Sequence, residues 1–256
     1  MIKHPGFPGS TVLFTFLIAL CLSSCHACQA QQPDTSTQTD GYTYKRPSSG
    51  GTGKVYMGRE IAAIMTATGG NWLDRDTRQE EENSPRTIEN MNLEPNTVVA
   101  DIGAGTGFYT FQIAPKVPDG KVYAVEVQDR FIKSLTSRRS NEGADNVVVV
   151  KGDSQQVNLR DGSIDIALMV DVYHELSYPK EILQAIHRAL KPDGKLLLLE
   201  YKAEDPDVRI RALHKMTAEQ IKKELEANGF RLQRQEDFLP IQHFMLFEKV
   251  EKTEGN

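Results

Sequence analysis

Ten residues narrow the possible folds more than any other stretch: Val98-Val99-Ala100-Asp101-Ile102-Gly103-Ala104-Gly105-Thr106-Gly107. An apolar strand runs into three glycines spaced G-x-G-x-G, and a helical pattern starts at Phe108. Glycine lets backbone come against a ligand where any Cβ would clash. The dinucleotide fingerprint wants its third glycine at position 108, which here is Phe108. Asp101, two residues before the first glycine, suits a ligand carrying positive charge and repels a pyrophosphate. No Gly-Lys-Ser/Thr follows, so the phosphate-cradling P-loop is absent. A nicotinamide-dependent oxidoreductase is therefore the weaker enzyme reading.

Strands and helices alternate after this loop. Apolar runs at Thr97–Ile102, Lys121–Val127, Val147–Lys151, Ile164–Val172 and Lys195–Tyr201 enclose helical windows at Phe108–Ala114, Asp129–Ser140 and Pro179–Leu190. Such alternation predicts an α/β fold, a doubly wound parallel sheet covered on both faces. Lys191-Pro192-Asp193-Gly194 reads as a helix stop and turn. Thr217-Ala218-Glu219-Gln220 has the form of a capping box, with Gly229 past the end of its helix. Two strands follow, Phe230–Asp237 and His243–Val250, joined by a turn with Pro240. Strand-turn-strand demands an antiparallel pair, so one strand near the sheet edge is reversed.

Acids recur where strands end. Glu126 closes the second strand about twenty residues past the glycines, where a carboxylate can accept ribose hydroxyls. Asp153 follows the third strand and Asp171 the fourth. Ligands of such sheets lie outside these carboxyl ends.

These pieces resemble the class I S-adenosylmethionine-dependent methyltransferases, closest to the type 11-like group with the ubiquinone/menaquinone-biosynthesis enzymes. VADIGAGTG, AVEV, KGD, DGSIDIALMVDVYHEL and LKPDGKLLLLEY stand in family order over about residues 85–250. The resemblance implies a Rossmann-like seven-stranded sheet, mostly parallel with the last strand antiparallel. It implies S-adenosylmethionine as cofactor, with Asp101, Gly103, Ala104, Gly105 and Gly107 around its methionine portion, Glu126 at the ribose and Asp153 at the adenine; Asp171 is expected among the cofactor-binding residues as well. The acceptor is expected to be a small molecule.

The fourth strand ends Asp171-Val172-Tyr173-His174-Glu175, facing the transferable methyl in this topology. His214 and His243 fall on the same edge by strand order. His174 is expected as the base, His243 as its understudy, and Glu175 beside them, because methyl transfer needs alignment and, for some acceptors, deprotonation. A metal set of His174, Glu175, His214 and His243 is chemically allowed but ranks below the base, so no metal is expected. His187, mid-helix, reads as structural. Arg209 and Arg211 read as solvated surface.

The remaining sequence sets location and partners. Lys3 and the apolar run Val12–Leu22 form a signal of export length, too short for a comfortable membrane span. Leu22-Ser23-Ser24-Cys25 resembles a bacterial lipobox, which implies a membrane lipid anchor at Cys25; cleavage after Ala30 would release an exported, unanchored chain. The resulting division is signal 1–24, disordered tether 25–53, helical lid 54–92, catalytic domain 93–250 and tail 251–256. The helical lid rests on Ile61, Ile64 and Met65 at helical spacing, with Tyr56 and Trp72 as candidates to line an acceptor pocket. All three cysteines, Cys21, Cys25 and Cys28, lie in the leader, so the domain has no thiol chemistry. A net charge of −5 argues against nucleic acid as partner. Export leaves a non-catalytic ligand-binding domain as a second alternative, because S-adenosylmethionine is expected in the cytosol.

Overall fold

The computed structural model describes residues 41–250, so the lipobox, the cleavage sites and all three cysteines lie outside the described residues. The described chain opens with an antiparallel three-stranded sheet: β1 (Tyr42–Tyr44), β2 (Gly51–Tyr56) and β3 (Arg59–Ala62). This corrects two expectations, a disordered tether reaching residue 53 and a helix from Arg59. Met57 and Gly58 both take positive φ, 48° and 100°, between the paired residues Tyr56 and Arg59. That is the backbone of a two-residue hairpin turn whose twist matches its strands. Glu60 then gathers the Ser/Gly-rich stretch. Its buried carboxylate accepts the Ser48 and Gly53 amides and the Ser48 hydroxyl, and pairs with Lys45. The sheet docks through Arg59 onto Glu224, through Tyr56, which accepts a hydrogen bond from Asn228, and through Lys54. The Lys54 ammonium lies 3.2 Å from the Tyr178 ring centroid and donates to the Ser177 carbonyl. Tyr56 is thus an anchor, and it is not among the residues lining the cavity at the strand ends.

Short helices α1 (Gly70–Leu73), α2 (Arg78–Glu82) and α3 (Ser84–Asn90) lead into the larger sheet. Its strands are β4 (Val98–Ile102), β5 (Lys121–Glu126), β6 (Val147–Lys151), β7 (Ile164–Val170), β8 (Leu190–Tyr201), β9 (Phe230–Glu236) and β10 (Gln242–Lys249). The spatial order is β6-β5-β4-β7-β8-β10-β9. Five strands run parallel, and β10 is antiparallel to both its neighbours. The expected seven-stranded α/β sheet with a reversed last strand is present. β8 shows why it is buried on both faces: Leu196 and Leu198 enter one apolar cluster, Leu197 and Leu199 the other.

Helices α4 (Thr110–Ile113), α5 (Asp129–Glu142), α6 (Pro179–Ala189) and α7 (Ala218–Glu226) make the covering layers. At the head of α7 the Thr217 hydroxyl accepts the Gln220 amide at 3.1 Å, as the capping signature predicts. The Gln220 amide side chain turns instead to Glu224, so only half of the reciprocal box forms. Lys191–Gly194 is not a separate turn. It continues β8, with a register shift against β7 between Ile164 and Ile166.

Candidate functional site

A cavity of about 840 Å³ opens at the carboxyl ends of the parallel strands. The sheet supplies its floor. A strap from Ala63 to Thr66, with Trp72 and Leu73, lies along another side. The strap is fastened at two points: the Met65 amide donates to Glu175, and the Gln128 side chain grips the Ala67 amide and the Met65 carbonyl. Trp72 lines the cavity while 46% exposed, with the Arg75 guanidinium 4.0 Å from its ring centroid.

The glycine loop forms one flank. Gly103, Ala104 and Gly105 line the cavity. Gly105 has φ +55°, and a Cβ there would stand 2.9 Å from Leu73 Cδ1. Gly107 does not line the cavity. Its Cβ would meet the Phe111 ring at 2.6 Å, so packing of the loop against α4 by itself requires a glycine there. Glu126 is buried beside the loop, accepting N–H groups from Gly105 at 2.9 Å, Val127 at 2.7 Å and Gln128 at 2.9 Å. Three of its roughly four lone-pair directions are thereby used. Asp153 lines the outer end, and its Oδ1 accepts the Gln155 and Gln156 amides in a tight turn.

Asp101 is buried and accepts the Thr110 hydroxyl at 2.6 Å. Burial pushes its carboxyl up to about 6. Asp171 lies across the floor with φ 52°, a conformation rare outside glycine. Its Oδ2 accepts the Gln242 amide, while Oδ1 is buried without a hydrogen-bond partner. Burial, then the charges of Glu82 and Glu200, hold this carboxyl well above its ordinary range. Arg78 and Tyr201 line the same end, and Arg78 is fixed by Glu82 and the Leu73 carbonyl. The cavity's inner end therefore carries both a fixed cation and an unsatisfied acid.

The opposite flank is a cluster of side chains. His174 is buried, with Nδ1 2.6 Å from Glu200 Oε2 and Nε2 3.0 Å from His214 Nδ1. Glu200 also accepts the His174 amide. Burial opposes the charged imidazole, yet the Glu200 carboxylate outweighs it and raises His174. His214 goes the other way: burial, then the neighbouring His174 and Arg211, pull it down to about 4. Glu175 is pushed up to about 7 by burial, against the His174 charge and the Met65 amide. His174, Glu175 and His214 all line the cavity.

His243 does not join them. It is buried on β10, with Nε2 between Glu204 Oε2 at 3.0 Å and the Met216 carbonyl at 3.2 Å, beside a separate shallow cleft. Strand order placed it at the correct edge of the sheet, but β8 and its following loop stand between it and the cavity. Glu200 and Arg78 are the residues that sequence reasoning missed. Glu200 had a signal: an acid directly after Leu196–Leu199 in a strand buried on both faces must have a partner. Arg78 lay in the polar stretch Asn71–Glu82 of the expected lid, where only Trp72 stood out as a pocket residue.

A methyltransferase-domain family model matches residues 93–245. The ubiquinone/menaquinone biosynthesis C-methyltransferase of Ectopseudomonas mendocina is 32% identical over 117 residues, 45% of this chain and 46% of the relative. Its counterpart in Azotobacter vinelandii is 30% identical over the same length. The chain thus spans about half the length of the curated relatives it matches. Among solved structures, an S-adenosylmethionine-dependent methyltransferase from Aquifex aeolicus superposes with a TM-score of 0.69 at 26% identity, covering 73% of this chain and all of that one. A mitomycin 7-O-methyltransferase shares the fold alone, with a TM-score of 0.61 at 18% identity, covering 70% of this chain and 56% of that one. The chain belongs to the methyltransferase-domain family. The domain is that of an S-adenosylmethionine-dependent methyltransferase, and nicotinamide chemistry gains no support.

Proposed function

We propose that the protein transfers a methyl group from S-adenosylmethionine to a small-molecule acceptor held in the 840 Å³ cavity. The observation that carries the reading is the unsatisfied Oδ1 of Asp171 at the inner end, with Arg78 lining the same end. A cation and an acid side by side fit the carboxylate and ammonium of an amino-acid ligand. The fit continues along the cavity. Gly105 lines the cavity without a side chain, Glu126 offers its remaining lone pair to a ribose hydroxyl, and Asp153 Oδ2 stands at the adenine end. When bound, the cofactor supplies an electrophilic methyl on a sulfonium sulfur, and the acids Asp101 and Glu126 favour that positive charge, while Asp171 offers its free oxygen as a hydrogen-bonding group.

The acceptor's share of the cavity is lined by the apolar Ile64, Met65, Leu176 and Ile210 and by the polar His174, Glu175 and His214. That suits an apolar body presenting one nucleophilic group to the histidines. Both ring nitrogens of His174 are engaged, so His174 meets the acceptor through His214, which it and Glu200 orient. Calorimetry of the full chain tests the reading. Binding of S-adenosylmethionine with no heat from NADH is expected; the reverse pattern would refute it.

A further inference from the structure

We propose that His174, His214 and Glu175 form a binding site for one divalent transition-metal ion, at the acceptor end of the cavity. Three observations carry it. First, one donor atom from each residue lies within 4.8 Å of the other two. The two imidazole nitrogens face one another at 3.0 Å, close to the separation of about 3.3 Å that two nitrogens take on a tetrahedral zinc at about 2.05 Å. Second, the outer partner is already built. His174 Nδ1 is held by Glu200 at 2.6 Å, the carboxylate–imidazole arrangement that fixes a ligand's tautomer and leaves Nε2 for the metal. Third, the donors come from separate, anchored pieces of backbone. His174 and Glu175 follow β7, with the His174 amide tied to Glu200 and the Glu175 carboxylate steadied by the Met65 amide, while His214 comes from the loop after β8.

Two imidazoles and one carboxylate are a donor set for zinc or iron(II), and not for calcium or magnesium, which take oxygen cages. Three protein ligands leave coordination positions free, and all three residues line the cavity where the acceptor enters. An ion there would take an acceptor's hydroxyl oxygen and acidify it, which points to an oxygen nucleophile. That consequence rests on the methyltransferase reading; the binding of the ion does not.

The test is zinc titration of the chelator-stripped full chain against a chromophoric competitor. Cys21, Cys25 and Cys28 are alkylated first, because cysteine thiolates are zinc ligands in their own right and residues 41–250 contain no cysteine. One equivalent is expected. His214→Ala, and separately His174→Ala, should lower zinc affinity at least about 100-fold, and Glu200→Gln about 10–100-fold, the range for a lost outer-sphere partner. His243→Gln should match wild type. His214 is only half-buried, so its variant should fold, and a circular dichroism melt confirms that. Less than one equivalent bound, or a loss under tenfold in His214→Ala, would overturn the site and leave the trio as a hydrogen-bonded proton relay. S-adenosylmethionine calorimetry on the same samples keeps the two claims apart, since either ligand can bind without the other.

Discussion

Glu126 and Glu200 are both buried acids at strand ends, yet one is held by three backbone N–H groups and the other by a histidine ring and its amide. The contrast extends to the two flanks of the cavity. The glycine-loop flank is made of backbone and needs only that particular positions lack a side chain. The histidine flank is made of side chains drawn from β7, β8 and the loop beyond, each depending on the next. A backbone-built flank can therefore be read from a short motif, whereas the side-chain flank has to be assembled by the fold first. The two should also fail differently when altered.

The largest effect should come from the side-chain flank. His174→Ala, which takes away the support that orients His214 toward the acceptor, is expected to cut methyl transfer by about 10²–10⁴-fold while cofactor affinity stays near wild type. Turnover with an identified acceptor, paired with calorimetry, checks it; a parallel fall in cofactor affinity would dissolve the division between flanks. Next is Gly105→Val, whose Cβ would collide with Leu73 at a backbone φ of +55°. Cofactor binding should fall by at least about 100-fold, because the backbone must leave the left-handed region. Retained binding would show that the loop yields more readily than a backbone-built flank should. Glu126→Ala should weaken cofactor binding by about 1.5–3 kcal/mol, the scale of a hydrogen bond to a charged group.

The smallest effect is on stability and has a definite sign. Burial raises the Asp101 carboxyl from an ordinary 3.8 to about 6, so the folded state holds this proton more tightly than the unfolded chain. Stability from this group is fully present below about 3.8 and is lost as pH rises through about 6. Asp101→Asn removes the loss. Without ligand, the variant should exceed wild type by about 1–2 kcal/mol at pH 8, with the gap closing toward pH 4. Urea denaturation across that range measures it, and a gap that widens on acidification would contradict the assignment.

The sequence made the backbone flank legible because its requirements are local. Asp101, three glycines and Glu126 lie within 26 residues, and the strand alternation fixes which edge they share. It made the reversed β10 legible too, since two strands joined by a short turn have no other arrangement. The three-stranded sheet was not legible. Its turn is Met57-Gly58, where the favoured signal is Asn-Gly or Asp-Gly. Its Ser/Gly stretch is ordered by Glu60, up to fifteen residues away, and by docking partners more than a hundred residues on. His243 shows the limit of topology: strand order gives the edge of the sheet on which a residue falls, and only packing decides what its side chain touches.

The strap across the cavity ties these flanks into one circuit. Glu126 accepts the Gln128 amide, the Gln128 side chain holds Met65 and Ala67, and the Met65 amide donates to Glu175. A ligand on Glu126 and an occupant of Glu175 therefore sit at the two ends of one four-residue hydrogen-bonded line. Binding equilibria joined in this way obey reciprocity: the factor by which the first ligand changes the affinity of the second equals the factor by which the second changes the first. The order in which the two enter can then alter the rates of loading, but not the free energy of the fully loaded state.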